Sequence, residues 1–264
     1  MLRRLKWVAL SCVYLSLISC SSITEQTDSA PSSPPDVSNI PDAIPKDEPL
    51  SKYGNPTSYD VFGKTYYTLS TSKGYQEKGI ASWYGSKFHG RRTSSGETYD
   101  MYAMTAAHKT LPLPSYVEVT NLSNGRKVIV KVNDRGPFHD NRLIDLSYTA
   151  AKKLGIVGHG TGMVEIRAMS GAEKPVNIVT NMQQKPSQEM PVGMYLQVGA
   201  FSTSSNAQQF KSKVQSQIGN EVVVTSDGGL YRVRIGPLAN VEDGDSLANH
   251  LLNLGFNDAH LVVE

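Results

Sequence analysis

The chain has 264 residues, room for one large domain or two small ones. Hydrophobic residues make up 39% and aromatics 8%, which excludes wholesale disorder. Lys and Arg number 26 against 24 Asp and Glu, a net of +2, which excludes a basic nucleic-acid coat or an acidic tail as a whole-chain description. Cys12 and Cys20, the two cysteines, cannot build a disulfide framework or a Cys-based zinc site.

Residues 1–19 read as a signal segment. Arg3, Arg4 and Lys6 precede an apolar run from Trp7 to Ile18 that is short for a membrane span. The run closes in Leu17-Ile18-Ser19-Cys20, which resembles a bacterial lipobox. That resemblance implies cleavage before Cys20 and a lipid on its sulfur, anchoring the chain to a membrane. Ser21, where inner-membrane lipoproteins often carry Asp, favours the outer membrane on the periplasmic side. Residues 20–52 form the next unit. Between 21 and 50 there are six Pro, six Ser and six acidic residues against Lys46 alone. Such a stretch is expected to stay disordered and self-repelling, with a taut reach on the order of 90 Å.

Residues 53–78 read as a preface containing a hairpin, Tyr59 to Tyr67, turning at Gly63-Lys64. Residues 79–169 alternate short apolar runs with Gly, Asn and Pro, the pattern of a small β-barrel. One helix stands among them, capped by Ser147, running from Tyr148 to Leu154 and stopped by Gly155. Residues 170–191 form a polar second linker. From 192 to 264 the order is strand (Met194–Phe201), helix (Ser205–Ile218), strand (Glu221–Thr225), strand (Leu230–Ile235), helix (Asp245–Leu254) and strand (His260–Val263). This βαββαβ pattern predicts an antiparallel sheet with both helices on one face.

The barrel region carries Gly79-Ile80-Ala81-Ser82-Trp83-Tyr84-Gly85, Thr93-Ser94-Ser95-Gly96-Glu97 and Thr105-Ala106-Ala107-His108. Asn133-Asp134-Arg135-Gly136-Pro137 and Ile144-Asp145-Leu146-Ser147 follow. In this order and spacing the segments resemble the six-stranded double-psi β-barrel of the rare lipoprotein A family, septal lytic transglycosylases. Leu196-Gln197-Val198-Gly199-Ala200-Phe201 and Arg232-Val233-Arg234-Ile235-Gly236-Pro237 resemble a SPOR domain. The resemblance implies an endolytic lyase that cuts peptidoglycan strands lacking stem peptides and leaves 1,6-anhydro-muramic ends. It implies recruitment to the division septum by the SPOR domain, with divisome proteins as further partners. No cofactor and no metal are expected. His89, His139 and His159 lack ligand spacing.

Within Val128–Asn133, period two puts Val128, Val130 and Val132 inward and Ile129, Lys131 and Asn133 outward. Asp134, in phase with the valines, is expected to emerge at the barrel rim beside apolar surface, where desolvation favours its protonated form. The resemblance gives Asp134 the role of general acid, with the same carboxylate then accepting the C6 hydroxyl proton. It places Glu97 and His108 in the same groove. Glu97 would orient the sugar or stabilise charge at C1, and His108 would hold Asp134 or Glu97 by a hydrogen bond. Blander readings stand beside these. Asp134 and Arg135 could form a turn-capping ion pair, Glu97 a solvated turn and His108 a satisfied buried histidine. Asp145, just before the Ser147 cap, reads as structural. Trp83, Tyr84 and Phe88 could stack on sugars or simply pack.

Residues 79–169 hold 12 Lys and Arg against 7 Asp and Glu, a net of +5 that suits an anionic glycan. Residues 192–264 hold 4 against 7, a net of −3 that argues against nucleic acid on the sheet. By the same alternation Tyr195, Gln197, Leu230, Arg232 and Arg234 should leave the helices and form the glycan-binding face. Two other readings remain open. One is a septal binding lipoprotein that grips glycan without cutting it. The other is a hydrolytic barrel using water and Asp145 as its second carboxylate.

Overall fold

A computed structural model describes residues 28–139, 141–171 and 193–264. Cys20, the signal segment and most of the second linker lie outside the described residues. The hairpin of the preface is β1 (Ser58–Val61) and β2 (Lys64–Tyr67). It turns one residue earlier than the sequence suggests, with Phe62 and Gly63 at φ 51° and 78°. Both central positions left-handed is the type I′ arrangement that matches strand twist, here with Phe where Asn is usual.

Six strands close the barrel: β3 (Gln76–Tyr84), β4 (Thr105–His108), β5 (Ser115–Asn121), β6 (Lys127–Asp134), β7 (Ile144–Ser147) and β8 (Gly162–Met169). Their order around it is β3-β7-β4-β6-β5-β8. β3 pairs with β7, and β4 with β6, in parallel; the other ladders are antiparallel. β3 opens at Gln76, so the barrel takes in the last residues of the expected preface. Val128, Val130 and Val132 point into a core shared with Ala81, Val117, Val119, Ile144, Leu146 and Ile166, as alternation predicts. Helix α1 is Tyr148–Leu154. Ser147 accepts from the Ala150 amide at its start, and Gly155, at φ 80°, ends it in the left-handed region.

The acidic segment corrects one expectation. Residues 28–50 are extended but laid along the barrel. Val37 is buried against Tyr84, Tyr99 and Tyr148. The Ala43 amide donates to the Ile129 carbonyl at 3.0 Å and Asp42 accepts from the Ile129 amide at 3.2 Å. Asp42 also meets Lys153 at 2.7 Å, Asp28 accepts from the Gly85 and Lys87 amides, and Glu48 meets Tyr116 and Lys131. Asp28, Asp42 and Glu48, which repel one another in isolation, end on cations, amides and a phenol of the basic barrel. Outward-facing Ile129 is thereby covered, by Ala43, Tyr116 and Met169.

The C-terminal unit is β9 (Met194–Phe201), α2 (Ser204–Gln215), β10 (Val222–Asp227), β11 (Leu230–Leu238), α3 (Val241–Asn253) and β12 (His260–Val263). Its antiparallel sheet runs β10-β11-β9-β12. Leu196, Val198, Val233 and Ile235 pack on Ala207 and Val214 of α2 and Leu251 of α3. Helix α3 starts earlier than expected because Asn240 caps it, accepting from the Asp243 amide at 2.8 Å. Helix α2 stops at Gln215, whose side chain donates to the Asn220 carbonyl and accepts from the Val222 amide.

Candidate functional site

The site is built on a register shift. Between β4 and β6 the ladder pairs Ala106 with Val132 and then Ala107 with Asp134, skipping Asn133. A bulge of this kind re-aims side chains at a strand end. It frees Asn133 to turn toward Glu97 and sets Asp134 at the rim. The loop Thr93–Glu97 folds back on this point, its turn requiring Gly96 at φ 97°. The Ser95 amide donates to the Asn133 carbonyl at 3.2 Å.

Asp134 Oδ1 accepts from the Ser94 amide at 2.8 Å, the Ser94 hydroxyl at 2.7 Å and the Arg135 amide at 2.8 Å. Arg135 makes no ion pair with it. Its guanidinium turns back toward the His108 and Leu111 carbonyls, Asn55 Oδ1 and the Tyr59 ring. The ion pair of the blander reading is therefore absent, while the amide contacts of Asp134 remain.

Glu97 is exposed, but its carboxylate is held at both oxygens: Oε1 by Lys131 Nζ at 2.8 Å and Oε2 by Asn133 Nδ2 at 2.7 Å. Partial burial opposes its charge, and the Asn133 and Lys131 contacts outweigh that, leaving the carboxyl below its ordinary value. Glu97 and Asp134 are thus brought together through neighbouring residues of β6. The same Lys131 reaches Glu48 at 3.4 Å.

His108 does not hold either carboxylate. Its Nδ1 accepts from the Thr110 and Leu111 amides at 3.2 and 3.0 Å, which leaves Nε2 to carry the proton toward the Tyr75 hydroxyl at 3.1 Å. Tyr75 in turn meets Glu77. Burial, then the charges of Arg135 and Lys109, push the imidazole down to about 3. Its ring is a neutral brace of the barrel wall, and the expected hydrogen bond to Asp134 or Glu97 is not made.

Asp145, read from the sequence as structural, is set in the barrel wall. It accepts from the buried Ser82 hydroxyl and lies beside the turn after Asp134. Burial outweighs that hydrogen bond and the nearby cations, raising its carboxyl above the usual range. The desolvated environment expected at Asp134 belongs to Asp145. Tyr84 is buried and stacked on Tyr99 at 4.0 Å, and Trp83 meets Tyr148 edge-on, so both pack. Phe88 remains 39% exposed.

On the C-terminal sheet, Tyr195, Gln197 and Arg232 keep partial exposure away from the helices and Leu230 is 40% exposed. Arg232 pairs with Asp227 at 3.0 Å. Arg234 shares the face but not the exposure. It is 4% exposed, held by Glu264 and by Thr225 at 2.7 Å, with its Nε buried and unpartnered. This face and the barrel flank a cavity of about 620 Å³, lined among others by Lys109, Arg142, Gln197, Arg232, Arg234 and Glu264. Ser94, Lys131 and Asn133 carry no local sequence signal for this chemistry. Alternation placed Lys131 and Asn133 on one face, but nothing local links Ser94 to Asp134, 40 positions on.

The Lytic transglycolase family model matches residues 76–166 and the SPOR domain model matches 191–262. A Pseudomonas aeruginosa protein named endolytic peptidoglycan transglycosylase RlpA is 40% identical over 82% of this chain and 78% of its own. A Vibrio cholerae protein of the same name is 40% identical over 94% of both chains. One from Neisseria meningitidis serogroup B is 43% identical over 76% of this chain and 81% of its own. With both family models matched in order and identity at this level across most of its length, the chain belongs to the RlpA family.

Proposed function

We propose that the barrel of this chain is an endolytic peptidoglycan transglycosylase whose working carboxylate is Asp134, assisted by Glu97. The observation that carries the reading is the convergence of the Thr93–Glu97 loop on the end of β6. It fixes two carboxylates through Ser94, Asn133 and Lys131. Preorganised carboxylates at a rim are what a developing positive charge at C1 of a muramic residue needs. A hydroxyl on that sugar's own C6 then attacks in place of water, which gives a 1,6-anhydro end. Lys131 pairs with Glu97 and orients it, helping Asn133 to hold the carboxyl below its ordinary value.

The SPOR sheet is proposed to hold strands stripped of stem peptides. Removal of the peptide leaves a free lactyl carboxylate on each muramic residue. Arg232 supplies a guanidinium that matches it, Arg234 can add a second only where glycan displaces Glu264, and Gln197, Tyr195 and Leu230 supply amide, phenol and apolar surface for the sugars. Such strands mark the division septum, so the protein works at the cell wall there, with divisome proteins as further partners. Cleavage at the lipobox and a lipid on Cys20 would anchor it, with Ser21 favouring the outer membrane. With residues 28–50 docked on the barrel, the free tether is shorter than a fully unfolded segment would give.

Purified sacculi treated with an amidase, then digested with the full chain in detergent, test the reading by mass spectrometry of the ends. Anhydro-muramic ends with wild type and none with Asp134→Asn are expected. Binding without cleavage would make the protein a glycan-binding lipoprotein, and ordinary reducing ends would make it a hydrolase.

A further inference from the structure

We propose that the cavity between the barrel and the C-terminal sheet is a glycan subsite built by both units, in which Arg142 of the barrel and Arg232 of the sheet together take the free lactyl carboxylate of a denuded muramic residue; this rests on the glycan-binding reading of the sheet above. The two units are held in one arrangement. Ile80 faces outward on β3, yet it is 1% exposed because Met194, Val241 and Val263 pack on it. Asn141, in the loop before β7, fixes the approach with both ends of its amide. Its Nδ2 donates to Asp245 Oδ1 of α3 at 2.7 Å, and its Oδ1 accepts from the Leu261 amide of β12 at 3.2 Å. A side-chain amide satisfied at donor and acceptor across one contact sets distance and orientation together.

Beside this contact, the cavity of about 620 Å³ has a size typical of sites for small ligands. Lys78, Lys109 and Arg142 line its barrel side, and Arg232 and Arg234 its sheet side. The acids on its walls are Glu77, Asp227 and Glu264, and each is engaged: Glu77 by Tyr75, Asp227 by Arg232 and Glu264 by Arg234. Cations therefore outnumber acids five to three. Among the described residues, no partner reaches the buried Nε of Arg142 or that of Arg234. Each wall thus carries a guanidinium with a donor that lacks its acceptor, and a buried donor of that kind calls for one.

A carboxylate is planar, has two oxygens and meets a guanidinium edge with paired hydrogen bonds. Removal of a stem peptide leaves one on each muramic residue, where a peptide-bearing strand has an amide. The cleft therefore selects denuded strands from the barrel side as well as from the sheet. Arg234 joins once the strand displaces Glu264. Arg142 also acts electrostatically on Asp145, so the cleft opens beside the carboxylate-bearing part of the barrel. A strand held between the two units is thereby delivered to the barrel of the same chain.

The test uses the full chain in detergent, with Asp134→Asn throughout so that the probes stay whole, and reads fluorescence anisotropy. One probe is a labelled GlcNAc-MurNAc tetrasaccharide with free lactyl carboxylates. The other is the same tetrasaccharide with those carboxylates capped as methyl amides. The parent should prefer the free acid by at least ~20-fold, and Arg142→Gln should cut that preference ~tenfold while binding the amide probe as the parent does. An unchanged preference in Arg142→Gln would overturn the shared cleft; if Arg232→Gln weakens the acid probe beside it, the sheet reading stands. A parent with no preference for the acid probe would overturn the sheet reading itself. Should Arg142→Gln fold poorly, Asn141→Asp serves. It keeps an acceptor for the Leu261 amide but faces Asp245 with a second carboxylate, which drives the two units apart and leaves every guanidinium in place. The acid preference should fall by a similar factor, and an unmoved preference overturns the proposal.

Discussion

Glu264 grips Arg234 from across an intervening strand: the carboxylate follows β12, the guanidinium rises from β11, and β9 lies between them. The ion pair crosses the sheet face that carries Gln197 and Tyr195. On the proposed reading, a carboxylate of the protein thus occupies the position a lactyl carboxylate would take. Glu264→Gln should raise affinity for denuded strands several-fold, and Arg234→Gln should lower it by about tenfold or more, consistent with the loss of a charged hydrogen-bonded contact. Fluorescence anisotropy with labelled amidase-treated fragments measures both. Unchanged affinity in Glu264→Gln would mean that glycan binds elsewhere on the sheet.

Residues 28–50 should behave as part of the barrel. The amides of Ala43 and Ile129 are tied across the strap, at 3.0 and 3.2 Å, and should exchange with deuterium far more slowly than an unfolded acidic segment allows. Asp42→Ala removes the partner of both Ile129 and Lys153 and should release Ile129 to fast exchange. Glu48→Gln should cost under about 1 kcal/mol, because its pairing with Lys131 is partly exposed.

Lys131→Met removes one of the two groups that hold Glu97 charged. Its carboxyl should then titrate closer to the ordinary value, since the opposing desolvation remains. The acid limb of strand cleavage should therefore move to higher pH. A pH–rate series on wild type and variant reads the shift. An unmoved acid limb would exclude Glu97 from the rate-controlling ionisations.

His108 makes stability depend on pH. Its folded value is pushed down to about 3, so the native state resists a proton that the unfolded chain accepts near 6.5. The contribution is fully present above 6.5 and is lost as pH falls from there toward 3, at about 1.4 kcal/mol per pH unit. His108→Gln should remove roughly one proton's worth of that slope. Urea unfolding from pH 7.5 to 4.5 measures it.

Asp145 has the opposite sign. Its folded value is raised, so burying the ionised form costs stability at high pH and nothing once the group is protonated in both states. Asp145→Asn keeps an acceptor for Ser82 and removes the cost. The variant should melt higher than wild type at pH 8, with the difference shrinking as pH falls through the raised folded value and gone below about 3.8. A lower melting temperature at every pH would make Asp145 a structural residue.

The sequence by itself determined what depends on neighbours in the chain. The alternation of Val128, Val130 and Val132 set the core face of β6. Ser147 and Gly155 fixed both ends of α1, because a cap and a left-handed glycine act within one turn. The βαββαβ order and the apolar sides of β9 and β11 followed the same logic. Tertiary structure alone decided the rest. Ser94 and Asp134 meet only once the barrel closes and β6 bulges at Asn133. The His108 ring found backbone donors and Tyr75 instead of a carboxylate, because neutral imidazole is what its buried position tolerates. The acidic strap docked because its repulsion is cancelled by cations that lie far off in sequence. Desolvation, which no local pattern reports, went to Asp145 rather than Asp134, because burial is a property of the packed strands and not of the motif that carries the residue.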